Sequence, residues 1–545
     1  MVNEEKKETP KKVLVTDNIA EEGINKLREF ADVDIELELS KEEIVARISG
    51  YDALVIRSGT KVTKEIIDAG DRLKVIGRAG VGVDNIDVER ATEKGIMVVN
   101  SPEANSISAA EHTIAMLLSL SRKIPAANLS LKSGKWERKK YMGVEVNGKV
   151  LGTIGLGRVG SEVAKRAKGF GMRVVAYDPF ISEDKAKELG ITLLSFNEVL
   201  ATADFITLHT PLTRDTHHMI SKQEFAMMKE GVRVINCARG GIIDEGALAE
   251  TIRNGKVAGA ALDVFENEPP QQNELLELGE VIVTPHLGAS TKEAQKAAAL
   301  IIAEEVITAL KNEPVKNALN MVYLDEALMN SINPYLVLAE KLGLLCAQLM
   351  PKPSRMEQFN VCYEGELGMA GADAGKDTRI ITVAMLKSVL SWFTDGVNYV
   401  NAEVIAKKAG IKVTESKTED VENFSSLITL SITAQRAGKK EKKTVAGTLF
   451  GKDDLRIVQI DGYRVDASPS GYMLICSFQD KPKVIGPVCT IMGNHGINIA
   501  GMQVGREKAG GEAVMVLNVD SSVDEDTMEE IRNVHNILAV TLVKL

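Results

Sequence analysis

The chain has 545 residues, enough for about three or four domains, and its 44% hydrophobic and 26% charged residues are typical of soluble globular proteins. Its formal net charge of −10 argues against general nucleic-acid binding, and the lack of any run of about 18 apolar residues argues against a membrane-spanning segment. The five cysteines are scattered without a C-x-x-C pair, and residues 1–12 read as a frayed tail without a signal-peptide core. We therefore expect a cytoplasmic protein with neither a disulfide framework nor a metal site.

Short apolar runs alternate with helical patterns through the first hundred residues, which predicts parallel βα units. Strands are expected at 13–17, 33–37, 51–57 and 73–78, with a helix at 18–30. The third and fourth strands end in Arg57 and Arg78. Ligands of open α/β sheets bind beyond the carboxyl ends of the strands, so both arginines are candidates for binding a substrate. The alternative is surface ion pairing.

A long helix is expected at 106–120, with Ser106 or Ser108 as its N-cap. Several further strands follow, and a second long helix at 290–310 could return the chain to the N-terminal unit. These later strands are expected at 150–154, 173–178, 205–209, 232–236, 259–264 and 281–285.

A glycine-rich turn follows the strand at 150–154 and opens a helix. Gly155 permits the tight turn, Gly157 lets the backbone approach a pyrophosphate at the helix N-terminus, and Gly160 allows close packing of helix on strand. Asp178 ends the next strand, at the distance where a carboxylate binds the adenosine ribose. It would repel a 2′-phosphate, which favours NAD over NADP. The alternative is a glycine turn that binds nothing.

Three later strands of the same predicted sheet deliver an arginine, acids and a histidine to its carboxyl edge. These residues are Arg239, then Asp263, Glu266 and Glu268, and finally His286. Such a set suits oxidation of a hydroxy acid. The histidine removes the alcohol proton as hydride leaves, a carboxylate on its other nitrogen fixes the tautomer, and the arginine binds the substrate carboxylate.

Several motifs resemble the D-isomer-specific 2-hydroxyacid dehydrogenase family. They are the glycine turn, NCARGG at 236–241, LDVFENEP at 262–269 and PHLGAST at 285–291. Four other stretches, at 57–63, 77–87, 105–112 and 136–140, are similar to the family members that oxidise 3-phospho-D-glycerate to 3-phosphooxypyruvate with NAD, opening serine synthesis. The resemblance covers nearly the whole chain.

The resemblance implies a role for each matched residue. His286 would be the acid/base, with Glu268 rather than Glu266 as its partner, and Arg239 would orient the substrate. Arg57, Arg78 and Asn105 would hold the substrate, and Arg138 or Lys140 would reach in from a neighbouring subunit. The implied cofactor-binding residues are Gly155, Gly157, Arg158, Val159, Gly160, Asp178, Thr210, Cys237, Ala238, Arg239, Asp263, His286, Leu287, Gly288 and Ala289.

Beyond residue 319 the chain resembles the two extra domains of long-form members. Motifs at 446–451 and 460–465 are similar to their intervening domain, with a basic turn expected at 439–443. Arg436, Lys439, Lys440 and Lys452 would bind an anionic effector, and the alternative for the basic turn is a solvated loop. The last 74 residues, 472–545, read as βαββαβ, a ferredoxin-like sandwich, and resemble an ACT regulatory domain.

An L-serine effector at that domain would contact Asn494 and Asn498. Lys483 stands where the family often has a glycine that lets an amino acid approach the backbone, and an ACT unit that only pairs subunits is the alternative.

We therefore expect an α/β protein with two doubly wound parallel-sheet domains, a flavodoxin-like substrate domain and a Rossmann NAD domain. An α+β intervening domain and the ACT domain follow, and the chain is expected to form a dimer or tetramer. The expected boundaries are 10–101 with 290–318, 102–289, 319–468 and 472–545. The alternatives are a hydroxypyruvate or glyoxylate reductase, a non-catalytic NAD-sensing scaffold, and an amino-acid-binding module with a relic dehydrogenase.

Overall fold

The computed structural model describes residues 10–321, 326–350, 355–368, 378–436 and 438–545. Most of the predicted tail at residues 1–12 lies outside these ranges. Within them the strands form four sheets, of five, seven, six and four strands.

The strands are β1 Lys12–Val15, β2 Asp32–Ile35, β3 Ala53–Ile56, β4 Val75–Arg78, β5 Met97–Asn100, β6 Val150–Ile154, β7 Arg173–Tyr177, β8 Thr192–Leu193, β9 Phe205–Leu208, β10 Val232–Asn236, β11 Val257–Leu262, β12 Val281–Val283, β13 Arg355–Gly365, β14 Lys412–Thr418, β15 Ser426–Arg436, β16 Lys439–Phe450, β17 Asp454–Ile460, β18 Tyr463–Ala467, β19 Tyr472–Gln479, β20 Ile499–Arg506, β21 Glu512–Val519 and β22 Ile537–Lys544. The helices are α1 Glu21–Arg28, α2 Lys41–Arg47, α3 Lys64–Ala69, α4 Val88–Glu93, α5 Ser106–Arg122, α6 Ile124–Lys132, α7 Arg158–Gly169, α8 Glu183–Glu188, α9 Phe196–Thr202, α10 Lys222–Met227, α11 Glu245–Arg253, α12 Lys292–Leu310, α13 Glu326–Leu349, α14 Arg379–Ser391, α15 Ala402–Lys408, α16 Ile485–Asn494 and α17 Glu525–Arg532.

The first sheet is parallel throughout and has the order β2-β1-β3-β4-β5. Its central strands are continuous apolar runs because helices cover both faces. One of these helices is α12, which lies far beyond the strands of this sheet in the sequence. Its Ile302 and Val306 pack so closely on β4 that a Cβ placed on Gly77 would lie within 3 Å of both. The long helix predicted at 290–310 thus returns the chain to the N-terminal unit.

The second sheet is also parallel, with the order β12-β11-β10-β9-β6-β7-β8. The strand order reverses between β6 and β9, and this switch point is where open α/β sheets bind ligands. The glycine turn follows β6 at that point. The sheet therefore positions the glycine turn beside the loops that carry the predicted acid, arginine and histidine.

The helix α5 runs along the second sheet, and its predicted cap is wrong. Asn105 is the N-cap, with φ −116° and ψ 4°, whereas Ser106 and Ser108 lie inside the helix. Ser108 instead donates its hydroxyl to the carbonyl of Gly288, 2.9 Å away. A tertiary contact thus uses the serine that the local pattern assigned to capping.

The third sheet is mixed, with the order β14-β13-β15-β16-β17-β18 and only the β13–β14 pair parallel. The basic turn predicted at 439–443 is wrong, because these residues begin the strand β16 and pair with β15. Five nearly uniform charged side chains hide the period-2 alternation that would have indicated a strand. A tight turn at Asp461 and Gly462, with φ values of +49° and +92°, joins β17 to β18.

The fourth sheet is antiparallel, with the order β20-β21-β19-β22. Its elements run β19-α16-β20-β21-α17-β22, which is the predicted ferredoxin-like sandwich. One face of this sheet, including Ile475 and Val514, joins the hydrophobic core of the third sheet. The predicted α/β fold class, with two further sheets in the C-terminal part, is confirmed.

The described residues lack two features that would bear on function, a membrane-spanning helix and a metal-binding cluster. None of their helices is both long enough and apolar enough to cross a lipid bilayer. Nor do they contain a group of three or more side chains placed to hold a metal ion.

Candidate active site

The turn after β6 shows why glycines are needed there. Gly155 has φ +92°, and a Cβ at this position would lie 2.6 Å from the carbonyl oxygen of His209. A Cβ at Gly160 would collide with the carbonyl oxygen of Gly155, because α7 starts close to the strand. Gly157 caps α7, and nothing lies within 4 Å of a Cβ built there. The first turn of α7 therefore faces open space, the geometry that accepts a pyrophosphate.

Asp178 lies beside this turn, at the end of β7. Its Oδ2 accepts the backbone N–H of Leu156 at 2.8 Å, and its Oδ1 accepts that of Phe180 at 2.8 Å. Arg158 and Val159 are the first two residues of α7. The carboxylate is thus fixed at the edge of the glycine turn, where a ribose hydroxyl can reach it.

A buried hydroxyl without a partner lies next to the same turn. Thr210 follows β9, and its Oγ1 has no hydrogen-bond partner among the described residues. Such a donor is usually satisfied by something, so the site fits a polar cofactor. Burial raises the pKa of the Cys237 thiol to about 12, which leaves this residue to line the site as a thiol.

Sequence reasoning missed Asn236, the last residue of β10. Its side chain accepts the backbone N–H of Ala238 at 3.0 Å and donates to the carbonyl of Arg239 at 2.8 Å. A buried asparagine at the end of an apolar strand is a signal for such a role, because its amide needs partners. Asn236 shapes the turn that presents Arg239.

His286 and Glu268 form a hydrogen-bonded pair, with Nδ1 2.8 Å from Oε2. This hydrogen bond raises the pKa of His286 more than burial lowers it. His286 has φ +54°, so its loop holds it in the left-handed region. The rival carboxylate Glu266 points elsewhere, because its Oε1 lies 3.0 Å from Nε2 of His218. Among the described residues Nε2 of His286 has no hydrogen-bond partner, and its side chain is 50% exposed.

Three arginines come together from the two parallel sheets. Burial lowers the pKa of Arg78, and the positive charges of Arg239 and Arg57 lower it further. Arg78 donates to the carbonyl of Gly82, and Arg239 lies 3.4 Å from Asp84. This cationic cluster suits a substrate that carries more than one negative charge.

A small cavity of about 30 Å³ joins two of the predicted substrate residues to the cofactor side. Arg57, Asn105 and Ala289 are among its lining residues. The structure therefore brings Asn105, at the start of α5, next to the loop that follows His286.

Asp263 is fully buried beneath the His286 turn. Its carboxylate accepts the backbone N–H of Leu287 at 2.7 Å and that of Gly288 at 2.8 Å. His112, to which the sequence assigned no role in the site, lies with Nε2 3.2 Å from Oδ1 of Asp263. Its position on one face of α5 with Ser108 was the available signal.

The predicted serine contacts lie at the surface of the fourth sheet's unit. Asn494 ends α16, and the side-chain amide of Asn498 donates to Asp520 at 2.7 Å. Lys483 has φ +70°, so the backbone keeps a conformation that favours glycine. The residues are accessible, but Asn498 already has a partner.

The four cations assigned to an anionic effector do not form one group, so that prediction is wrong. Arg436 and Lys439 face each other across the β15–β16 hairpin, and Lys440 pairs with Glu357 at 3.0 Å. Lys452 follows the far end of β16, roughly 35 Å away at about 3.3 Å per residue. Only the three residues at the hairpin can act together.

Three family models match the chain. They are the NAD binding domain of D-isomer specific 2-hydroxyacid dehydrogenases over residues 114–288, the D-3-phosphoglycerate dehydrogenase intervening domain over 331–461, and the ACT domain over 472–536. Curated relatives match over almost the full length. D-3-phosphoglycerate dehydrogenase of Methanocaldococcus jannaschii is 47% identical over 98% of this chain and 100% of its own. The enzyme of the same name from Bacillus subtilis is 44% identical over 98% of this chain and 99% of its own.

Solved structures match the N-terminal part. The TT0316 protein from Thermus thermophilus is 33% identical, with a TM-score of 0.53, over 56% of this chain and 99% of its own. A D-lactate dehydrogenase from Aquifex aeolicus, complexed with NAD and lactic acid, is 31% identical, with a TM-score of 0.51, over 55% of this chain and 96% of its own. The chain is thus an NAD-dependent oxidoreductase, and it belongs to the D-3-phosphoglycerate dehydrogenases of the D-isomer specific 2-hydroxyacid dehydrogenase family.

Proposed function

We propose that the chain oxidises 3-phospho-D-glycerate to 3-phosphooxypyruvate with NAD, the first step of serine biosynthesis. The observation that carries the proposal is the meeting of the His286–Glu268 pair with three arginines. A simple hydroxy acid needs one cation for its carboxylate, which Arg239 provides. Arg57 and Arg78 supply the further positive charge that a phosphate requires, and the full-length relatives bear the corresponding name.

The acid/base step belongs to His286. Its Nε2 accepts the proton of the substrate hydroxyl, while its Nδ1–H donates to Glu268. The carboxylate holds the ring in the productive tautomer and stabilises the imidazolium that results. Bound NAD would supply the hydride acceptor for the carbon that carries this hydroxyl. Arg239 fixes the substrate carboxylate and stabilises charge on the reacting oxygen.

The glycine turn and Asp178 would hold the adenosine and pyrophosphate of the cofactor. Arg158 and Val159 at the start of α7 would meet the pyrophosphate, and Thr210, Cys237 and Ala238 would line the site. The finer contacts, including that of Asp263 and the 286–289 loop with the nicotinamide, belong to this proposal. The unit at 10–101 with 290–318 would bind the substrate and close on the NAD unit at 102–289, excluding water.

The test is NAD-linked oxidation of 3-phosphoglycerate at alkaline pH, where proton release favours product. We expect turnover, and Arg57→Ala should raise KM about 10- to 100-fold because one charge-assisted contact is lost. The matched control is Arg173→Ala, an exposed arginine at the opposite end of β7, which should leave KM unchanged. Activity on hydroxypyruvate or glyoxylate alone would make the chain a different reductase. Intact NAD binding without any turnover would favour the sensing scaffold or the relic dehydrogenase.

Ligand binding at the ACT unit and self-association complete the proposal. The effector would be L-serine or an anion, bound near Asn494 and Asn498 or at the β15–β16 hairpin. The segment around α6 exposes large apolar side chains, which mark a protein interface: Leu129 70%, Leu131 57%, Trp136 76% and Met142 76%. Pairing this surface would bring exposed Arg138 and Lys140 to a second copy. A light-scattering mass of one chain would contradict the oligomer.

A further inference from the structure

The helix α5 contacts the loop of His286 through one face. Ser108 donates to the carbonyl of Gly288 at 2.9 Å, and the next turn places His112 Nε2 3.0 Å from the hydroxyl of Thr284. The following turn places the sulfur of Met116 3.9 Å from the same hydroxyl. Residues at this i, i+4, i+8 spacing share a helix face. That face of α5 packs against the loop at Thr284 and Gly288, on either side of His286.

The Asp263 carboxylate is the link between this helix face and His286. Its Oδ1 accepts Thr284 Oγ1 at 2.6 Å and Leu287 N–H at 2.7 Å, and its Oδ2 accepts Gly288 N–H at 2.8 Å. The backbone N–H of His286 donates to the carbonyl of Asp263 at 2.9 Å. One aspartate therefore fixes three consecutive residues of the loop, including the one with φ +54°.

A carboxylate buried at 0% exposure needs donors to stay ionised and oriented. Burial works to raise the pKa of Asp263, yet hydrogen bonds from His112, Thr284 and Leu287 hold it below its usual range. His112 approaches this carboxylate from α5 rather than from the loop, with Nε2 3.2 Å from Asp263 Oδ1. The hydrogen bond of its Nε2 is with the Thr284 hydroxyl, at 3.0 Å.

We propose that His112 is a positioning residue for the dehydrogenase reaction, acting through Asp263. Its Nε2–H donates to Thr284 Oγ1, whose hydroxyl donates to Asp263 Oδ1, and Asp263 in turn holds the loop that presents His286 to Glu268 and the substrate. The proposal rests on the proposed function, because it assigns His286 the acid/base role. It also connects Asn105, at the start of the same helix and beside the small cavity that Arg57 lines, to the acid/base loop.

The variants His112→Gln and His112→Asn both carry a side-chain amide and differ in how far its nitrogen extends, so they test the hydrogen bond donated from position 112. In His112→Gln the amide nitrogen reaches the position of Nε2, whereas in His112→Asn it falls one bond short. We expect His112→Asn to lower kcat about 10- to 100-fold, as small misplacements of a reacting group do, with KM for substrate changed less than about threefold. His112→Gln should recover most of kcat. The control is Glu111→Gln on the exposed neighbouring position, which should match the wild type.

A second readout does not depend on the substrate. Proton titration of His286, followed by NMR in protein labelled at histidine Cε1, reports the field of the groups that face it, namely Glu268, Asp263 and Arg239. The negative charge of Asp263 helps to raise the pKa of His286. The titration midpoint of His286 should therefore fall in His112→Asn, where the Asp263 loop loses its support, and return in His112→Gln.

The two readouts separate the proposals. Equal kcat and equal His286 midpoints in the Asn and Gln variants and the wild type would overturn the positioning role. Equally low kcat in both variants would also overturn it, since reach would not matter. Failure of the wild type to turn over 3-phosphoglycerate, with the His286 midpoint still sensitive to residue 112, would overturn the proposed function and leave the positioning role intact.

Discussion

The two parallel sheets and the third, mixed sheet treat polar residues in opposite ways. In each parallel sheet every strand delivers its last residues to the same edge. Arg57 and Arg78 lie along that edge of the first sheet, and Asp178, Arg239 and His286 along that of the second, although they come from distant parts of the sequence. In the antiparallel part of the third sheet, successive strand ends alternate between two edges. Lys439 begins the single strand β16 and Lys452 follows its far end, so the length of the strand holds them apart.

A sequence pattern predicts a site when it also predicts the edge of the sheet at which each residue lies. In βα units, a polar residue that follows an apolar strand must lie at the carboxyl edge, whatever the order of the strands. In a β-meander the same reasoning needs the number of residues in each strand.

The largest effect is expected at the carboxyl edge of the second parallel sheet, where His286 follows β12. His286→Ala should lower kcat about 10²- to 10⁴-fold, the range that general acid/base catalysis contributes. NAD affinity, measured by fluorescence titration, should change little because the glycine turn and Asp178 are untouched. His218→Ala is the matched control, since that histidine pairs with Glu266 instead. A comparable loss in His218→Ala would show that the edge does not define the reacting group.

The next effect concerns the pH dependence set by Glu268. The hydrogen bond that His286 donates to Glu268 raises the pKa of His286, and oxidation needs the unprotonated imidazole. Glu268→Gln removes the charge, so the pKa of His286 falls and the acidic limb of kcat/KM moves to lower pH. The alkaline plateau should drop about tenfold or more, because the imidazolium formed during reaction loses its partner.

The same profile measured on Glu266→Gln separates the two carboxylates. Its acidic limb should coincide with that of the wild type, since Glu266 bonds His218 and the N–H of Glu245. A limb that moves in Glu266→Gln and stays in Glu268→Gln would reverse the assignment.

Some features of the fold and the site can be predicted from the sequence, and others cannot. The glycine turn, the ferredoxin-like unit and the strand ends at Arg57 and Arg78 follow from local patterns, because each needs only neighbouring residues. The N-cap at Asn105 and the contact of His112 with Asp263 do not. Both depend on α5 lying against a loop that is more than 150 residues away. Tertiary contacts of this kind override local preference and leave no periodic signal.

The hairpin of the third sheet gives a smaller effect that bears on the same contrast. If an anion binds there, Lys439→Ala with Lys440→Ala should weaken the response of the enzyme to inorganic phosphate about two- to fivefold, since surface charges contribute up to about 1 kcal/mol each. Lys452→Ala should leave that response unchanged, because Lys452 lies beyond the far end of β16. Equal effects of the two changes, measured in steady-state assays against phosphate concentration, would place Lys452 in the same site.

The smallest effect is expected at the loop before α16, where Lys483 has φ +70°. A side chain in the left-handed region costs about 1–2 kcal/mol, and a glycine offsets part of that gain through its greater freedom in the unfolded chain, so Lys483→Gly should stabilise the loop by roughly 0.5 kcal/mol. Hydrogen exchange over residues 472–545 measures this as slower local opening. Lys481→Gly in the same loop is the control, and it should speed exchange because no left-handed strain is relieved there. Faster exchange in Lys483→Gly would mean that the lysine side chain makes a contact worth more than the strain, and that the loop is built around a lysine rather than adapted from a glycine.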